Sequence, residues 1–282
     1  MNFSFIILII VFAIISSDVK YQELSNTSKK YDLKYQLETG KKFTFYSLGY
    51  GNNYNIVNNS KTFLSSRERE LVQNYHVIDG NNKETVFEVE YKKLEFNDID
   101  EDKLKTKTNF SPLVGKKVQF TILPKGEMTN FKGFEELPSI PFPNGVMDGK
   151  LCQAELTHMF PIFPEKLVGI GDTWSREVFG YIITYKVLSE IKFNGFDCVR
   201  ISAQMVPEEK ILNRKNEQGK EYTIERIGCQ YSDMYYFAYK EGMILYRFSV
   251  DSYNETITRS KENEILKHNI RDQVWEEHVV FK

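Results

Sequence analysis

Residues 181–203 read YIITYKVLSEIKFNGFDCVRISA, and this stretch decides the fold class. Tyr181, Ile183, Tyr185 and Val187 recur at every second position, which is the period of a strand and not of a helix. Val199, Ile201 and Ala203 do the same after Asn194-Gly195. An Asn-Gly pair tolerates the left-handed backbone that a two-residue hairpin turn needs, so two antiparallel strands joined by a tight turn are expected.

The same pattern continues in both directions. Upstream, Tyr31, Leu33, Tyr35 and Leu37 alternate with polar residues, followed by a turn at Thr39-Gly40 and Phe43 and Phe45. Leu71 to Val77, Phe87 to Tyr91, and Val118 to Ile122 form further runs, and Pro124-Lys125-Gly126 turns into a strand through Met128 to Phe134. Downstream, Tyr235, Phe237 and Tyr239 turn through Lys240-Glu241-Gly242 into Ile244, Tyr246, Phe248 and Val250. About ten strands on short turns predict a mainly β protein, a large curved antiparallel sheet in half-barrel form. Val146 to Phe160 is the one helix candidate, with Asn144 or Asp148 as its cap, and it is placed over the concave face. Residues 264–281 fit either a helix or a strand; the Val279-Val280-Phe281 ending favours a strand. Gly49 to Ser60, Asn97 to Pro112 and Pro207 to Lys220 read as exposed loops. Gly40-Lys41-Lys42 is echoed by Gly115-Lys116-Lys117, a hint of a duplicated meander.

Composition narrows the class. The chain has 282 residues, 41% of them hydrophobic and 27% charged, which excludes intrinsic disorder. Its 37 Lys+Arg against 39 Asp+Glu leave a net charge of −2, so neither nucleic acid nor an anionic membrane surface is an expected partner. Phe5 to Ile15 is an uncharged apolar run followed by Ser16, Ser17 and Asp18. It is shorter than the roughly 20 residues of a membrane span and matches the core of a secretory signal peptide. No Lys or Arg precedes it and Ile14 is bulky, so an uncleaved anchor is the alternative. The expected division is a leader over 1–17 and a single β-rich domain over 18–282, two meanders joined near 135–165. Export to the periplasm, the cell envelope or the medium follows, without an integral span in the mature chain.

An oxidising compartment permits disulfides. Three cysteines allow one pair at most, and Cys198 and Cys229 flank a hairpin. The apolar pattern sets them on opposite faces, so the pair is left open, with buried free thiols as the simpler reading. Asn26, Asn58 and Asn254 begin glycosylation triplets, which matter only in a eukaryotic source.

Several phrases carry a resemblance. They are Gly115-Lys116-Lys117-Val118 with Phe120, Pro124-Lys125-Gly126-Glu127, Phe131 and Gly133, then Phe163 to Val168, and Gly171-Asp172-Thr173-Trp174. Across roughly Tyr31 to Arg259 the chain resembles a family of exported bacterial proteins of unknown function. In overall shape it is similar to the lipoprotein-carrier half-barrels, in which a curved sheet wraps an apolar cavity. The resemblance implies a β-rich envelope protein and supplies no catalytic residues. Glu127-Met128 departs from the small or polar pair usual after the turn glycine. Physically, Gly171 to Trp174 reads as a turn into a strand, with Asp172 bonding the backbone and Trp174 plugging an edge of the core.

The chemistry of catalysis is missing. His76, His158, His268 and His278 form no metal-ligand spacing, the cysteines form no Cys-x-x-Cys, and no nucleophile elbow, phosphate loop or dinucleotide fingerprint occurs. Adjacent acids such as Glu276-Glu277 point to opposite faces of a strand, and His158 is placed as a partner of the helix dipole. No catalytic residue, metal or cofactor is expected. The 17 tyrosines and 21 phenylalanines hold more promise. Tyr231, Tyr235, Phe237 and Tyr239 on one strand, Tyr246 and Phe248 on its partner, and Trp174 at the rim are the expected lining of a cavity for a lipid or acyl chain. The competing reading is a structural or protein-interaction module whose core is filled by its own side chains; an enzyme comes third. Oligomeric state is not legible.

Overall fold

The computed structural model describes residues 21–24, 28–57, 60–100, 102, 104–142, 145–178, 181–205, 210–215, 221–226, 230–259 and 264–281. The expected leader, Cys229, and Asn26 and Asn58 of the glycosylation triplets lie outside them. No helix among the described residues is long and apolar enough to cross a membrane.

The first half of the chain contributes β1 (Tyr21–Leu24), β2 (Lys30–Tyr31), β3 (Lys42–Val57), β4 (Ser60–Gly80), β5 (Thr85–Asp100), β6 (Lys105–Thr108), β7 (Lys117–Ile122) and β8 (Met128–Lys132). A short pair, β9 (Ile140–Phe142) and β10 (Gly145–Met147), leads into helix α1 (Gly149–Met159). After it come β11 (Val168–Gly169), β12 (Thr173–Val178), β13 (Tyr181–Phe193), β14 (Phe196–Met205), β15 (Lys210–Lys215) and β16 (Glu221–Arg226). The chain ends in β17 (Gln230–Ala238), β18 (Met243–Arg259) and β19 (Glu264–Phe281).

Fifteen of these segments make one antiparallel sheet, in the order β1-β13-β14-β17-β18-β19-β3-β4-β5-β7-β8 with β12, β15, β16 and β6 attached beside it. The expected mainly β half-barrel with one helix is what forms: the sheet stays open, ending at β1 and β12 on one side and β8 on the other. Chain order and spatial order differ at β1–β13, β14–β17 and β5–β7, and most consequentially where the two halves meet. The two meanders are connected through residues 133–167, but in the sheet they meet where β19 pairs with β3, from Asn269↔Asn55 to Phe281↔Phe43. Residues 264–281 are therefore a strand held on both sides, by β18 and by β3. The Gly-Lys-Lys echo opens β3 and β7, which belong to the same meander, so it does not mark a duplication.

The Asn194-Gly195 turn has φ of 48° and 86°, the left-handed pair its sequence requires. Asp148 is the cap of α1, its carboxylate accepting from Leu151 N at 2.9 Å, and the helix buries Cys152, Leu156 and Met159. The helix begins three residues later than expected because 145–147 pair with β9.

Two expectations need correction. Tyr31 to Leu37 alternates as predicted, with Tyr31, Leu33, Tyr35 and Leu37 all buried, yet only its first residue lies in a strand. The rest is an extended strap across strand ends, held by Tyr35 N to Pro124 O (2.8 Å) and Gln36 N to Gly242 O (3.4 Å). Second, the three expected loops are largely strand. β3 runs on to Val57, β5 to Asp100 with β6 beside it, and β15 pairs with β16 from Lys210↔Arg226 to Lys215↔Glu221. Gly and Asn disfavour strands on their own, but β3 is paired on both edges. Gly49 also has a packing role: a Cβ there would lie 2.1 Å from the Trp275 ring.

Candidate functional site

Alternation gives the sheet two faces, and α1 covers one. Arg69 on β4 fastens it there through a bidentate pair with Glu155, at 2.9 and 2.6 Å. Phe160, just past the helix, packs on Phe87 and Phe120 of that inner face.

Beneath the helix the inner face is packed. Phe237 lies against Phe163 (4.6 Å between ring centroids) and Tyr35 (5.5 Å). Phe43 stacks on Tyr75 at 4.9 Å. The void among Tyr35, Phe43, Tyr75, Phe160, Arg247 and Glu277 measures about 30 Å³. One water takes roughly 30 Å³ of the liquid, so the space is far below the several hundred Å³ of a ligand pocket. Among the described residues, the space between sheet and helix where an acyl-chain cavity was expected is filled by aromatic side chains from the strap, the strands and the post-helix segment.

Of the seven expected lining residues, the six whose side chains are described do not converge on one space. Tyr235 and Phe237 are buried in the core. Trp174 stacks on Tyr185 at 5.2 Å and donates Nε1–H to Ile162 O at 2.9 Å, the architectural role read from its motif. Asp172 accepts from Gly169 N at 2.9 Å and completes that turn. Tyr239 belongs to a separate ion-pair cluster, and the side chain of Tyr231 lies outside the described ones. Tyr246 and Phe248 lie on the opposite face from Tyr235.

That last placement inverts a sequence reading. Along β18 the apolar phase is Ile244, Tyr246, Phe248 and Val250, but the buried residues are Met243, Leu245, Arg247 and Ser249. A bulge between Tyr236 and Phe237 sets the register, with Tyr235 opposite Arg247 and Tyr236 opposite Tyr246. Arg247 is 7% exposed, Asp233 1% and Glu277 6%. Arg247 Nε donates to Asp233 Oδ2 at 2.9 Å and Nη1 to Glu277 Oε2 at 3.0 Å. Tyr235 OH also donates to Asp233, and Ser47 Oγ donates to Glu277 Oε1 at 3.2 Å. Sequence reasoning missed this cluster; its signal was charge recurring in one strand phase, Arg247 in β18 and Glu277 in β19. His158, in the last turn of α1, senses Arg247 and Asp233; burial first and Arg247 second hold it below the ordinary histidine value. A partner of the helix dipole shifts the other way.

Cys198 is a buried free thiol, pushed up to about 12 chiefly by burial, and lies opposite Ala238. Glu190 is buried beside the strap, where it pairs with Lys29 and accepts from Tyr239 OH at 2.7 Å and Tyr31 OH at 3.0 Å. Burial alone raises its carboxyl; the bonds from Lys29, Tyr239 and Tyr31 outweigh it and hold the pKa below the ordinary 4.5. Such a group stabilises the fold above that ordinary value, and the contribution is lost as pH falls through the lowered one. Glu190→Gln is therefore expected to cost about 2 kcal/mol at pH 7. The difference from wild type should shrink in urea melts taken below pH 4.5; a constant difference would show that charge is not involved.

The outer face holds the larger space, an open groove of about 340 Å³. It crosses β18, β19, β3, β4 and β5. Phe248, Val274, Leu48 and Tyr50 supply its apolar lining, and Glu68, Glu70, Glu95 and Glu276 its carboxylates. Leu48 is 49% exposed and Tyr50 47%.

No family model matches the chain, and no curated protein does. The exported bacterial family resembled by the Gly-Asp-Thr-Trp phrasing is thus not supported by the comparisons; the β-rich fold is. A lipovitellin structure, described under lipid–protein interactions, superposes with a TM-score of 0.51 at 10% identity over 88% of this chain. The chain spans 25% of that lipovitellin chain. An outer membrane channel from Pseudomonas putida F1 aligns over 92% of this chain and 100% of its own at 7% identity, with a TM-score of 0.23 that carries no argument. The lipovitellin likeness is one of fold alone: the chain shares a large open β-sheet architecture with part of a much longer protein.

Proposed function

We propose that this is an exported protein of the cell envelope or extracellular space that associates with an apolar, lipid-like ligand on the outer face of its sheet. It acts as a binder and not as an enzyme. The observation that carries this reading is the inverted phase of β18, which turns Tyr246 and Phe248 outward and spends its inner positions on Arg247 and Ser249. A sheet face with exposed apolar side chains around a 340 Å³ groove is the usual mark of an interaction surface. Fold likeness to part of lipovitellin, a protein studied for its lipid interactions, agrees with it. The apolar run from Phe5 to Ile15 supports export.

A second reading, a structural or protein-interaction module without ligand, is favoured by the packed interior. Native mass spectrometry of the chain, expressed with its leader and purified without detergent, separates the two. A carrier is expected to show an added mass that solvent extraction removes and that Phe248→Asp abolishes in a folded protein. A clean apo mass together with refusal of lipid probes overturns the lipid reading.

A further inference from the structure

The groove has a charge pattern as well as an apolar lining. In register, Glu276 of β19 stands opposite Leu48 of β3, which stands opposite Glu70 of β4. Two residues further along, Val274 faces Tyr50 and Tyr50 faces Glu68. Two of the four carboxylates are already neutralised: Lys93 Nζ lies 2.7 Å from Glu70 and 3.6 Å from Glu95, and Lys107 Nζ lies 2.9 Å from Glu95. Among the described residues, Glu68 and Glu276 have no ion-pair partner. Each flanks an exposed apolar residue of β3.

We propose that the groove selects amphiphiles with a cationic head group, a long-chain amine or quaternary ammonium, over fatty acids and other anionic lipids. This inference rests on the lipid reading above and names the class of lipid. The head lies beside Glu68 against the ring of Tyr50, where a carboxylate and an aromatic face attract the same cation. The tail runs across the strands over Val274 towards Phe248. From β4 to β18 is three strand spacings, roughly 14 Å, a length suited to a single medium alkyl chain. An anionic head in the same place meets Glu68 and Glu276, while the described cations at the groove, Arg69, Lys93 and Lys107, are already paired with Glu155, Glu70 and Glu95. The inner face offers an acid no better site, since Arg247 is already shared between Asp233 and Glu277.

The test compares three probes of equal chain length below their micelle concentrations: decyltrimethylammonium, decanoate and decyl glucoside. Trp174 and Trp275 are the two tryptophans of the chain. Trp275 packs against Gly49 and Arg69 on the inner face, and neither tryptophan is among the groove's lining residues. Calorimetry on the unmodified full chain is therefore the readout. The expected result is about tenfold tighter binding of the ammonium than of decanoate, the equivalent of one well-placed charge contact, and a preference that fades with added salt. Glu68→Gln is expected to bring the ammonium down to the affinity of the glucoside and to leave the glucoside unchanged. Val274→Asp, checked for native circular dichroism, is expected to remove all three.

Decanoate binding as well as the ammonium overturns the head-group inference while the lipid reading stands. Binding of all three that survives both Val274→Asp and Phe248→Asp overturns the groove as the site. Failure of every probe to bind the unmodified chain overturns this inference and the lipid reading together.

Discussion

Arg247→Ala is expected to destabilise the protein by about 3–5 kcal/mol, the cost of leaving buried charges without their partner. Asp233 and Glu277 are both almost fully buried, and Arg247 bonds each of them from the middle strand of the three. Removing the guanidinium leaves two carboxylates facing each other across β18 in a poorly hydrated layer. A urea titration with an unchanged m-value reads the loss directly. The controlling experiment is the triple variant Asp233→Asn, Arg247→Met, Glu277→Gln. If the single change is costly because it strands charge, the triple variant recovers most of the loss; if the triple variant is as unstable as the single one, the loss comes from packing. The same pair of measurements tests what sets the phase of β18, because the triple variant removes the charged group that the inner face receives.

Phe237→Ala is expected to cost about 3–5 kcal/mol, the usual range for truncating a fully buried phenylalanine. Phe237 is 0% exposed and its neighbours Phe163 and Tyr35 come from the post-helix segment and the strap, which are tied into the sheet elsewhere. They cannot collapse fully into the space, so a cavity term adds to the transfer term. This variant also discriminates between sites. Ligand binding on the outer groove is unaffected in the folded fraction of Phe237→Ala, whereas a ligand held beneath α1 would change affinity when the void there is enlarged. A shift of more than tenfold in affinity for an alkyl probe would move the site from the outer face to the inner one.

How much of this was legible in the sequence depends on where the decisive interaction lies. The Asn194-Gly195 turn, the Asp148 cap and the Gly171-Asp172-Thr173-Trp174 turn all formed as read, because each depends on bonds within a few residues. The strap from Tyr31 to Leu37 was read correctly for burial and wrongly for pairing: alternation reports which side chains are hidden, not which backbone they lie against. The outer halves of β3 and β5 and the β15–β16 pair looked like loops because their residues have no apolar phase. They are strands because neighbouring strands supply the ladder. The candidate site was the least legible part. Phe248 was picked for its aromatic ring and does line a space, but on the face opposite the one expected, beside Leu48, Tyr50 and Val274 that nothing in the sequence singled out.

By itself, then, the sequence determined a mainly β antiparallel architecture, its tight turns, its one capped helix and the residues of its hidden phases in most strands, since period-two alternation and turn chemistry are local properties. Tertiary structure alone decided that β19 joins the two meanders by pairing with β3, that the interior is filled, and which phase of β18 faces in. The physical reason is the same for each. Strand partner and register are set by contacts between segments far apart in the chain, a shift of one residue exchanges the two faces, and a strand such as β18, with aromatic residues on one side and a partnered charge on the other, states its alternation without stating its direction.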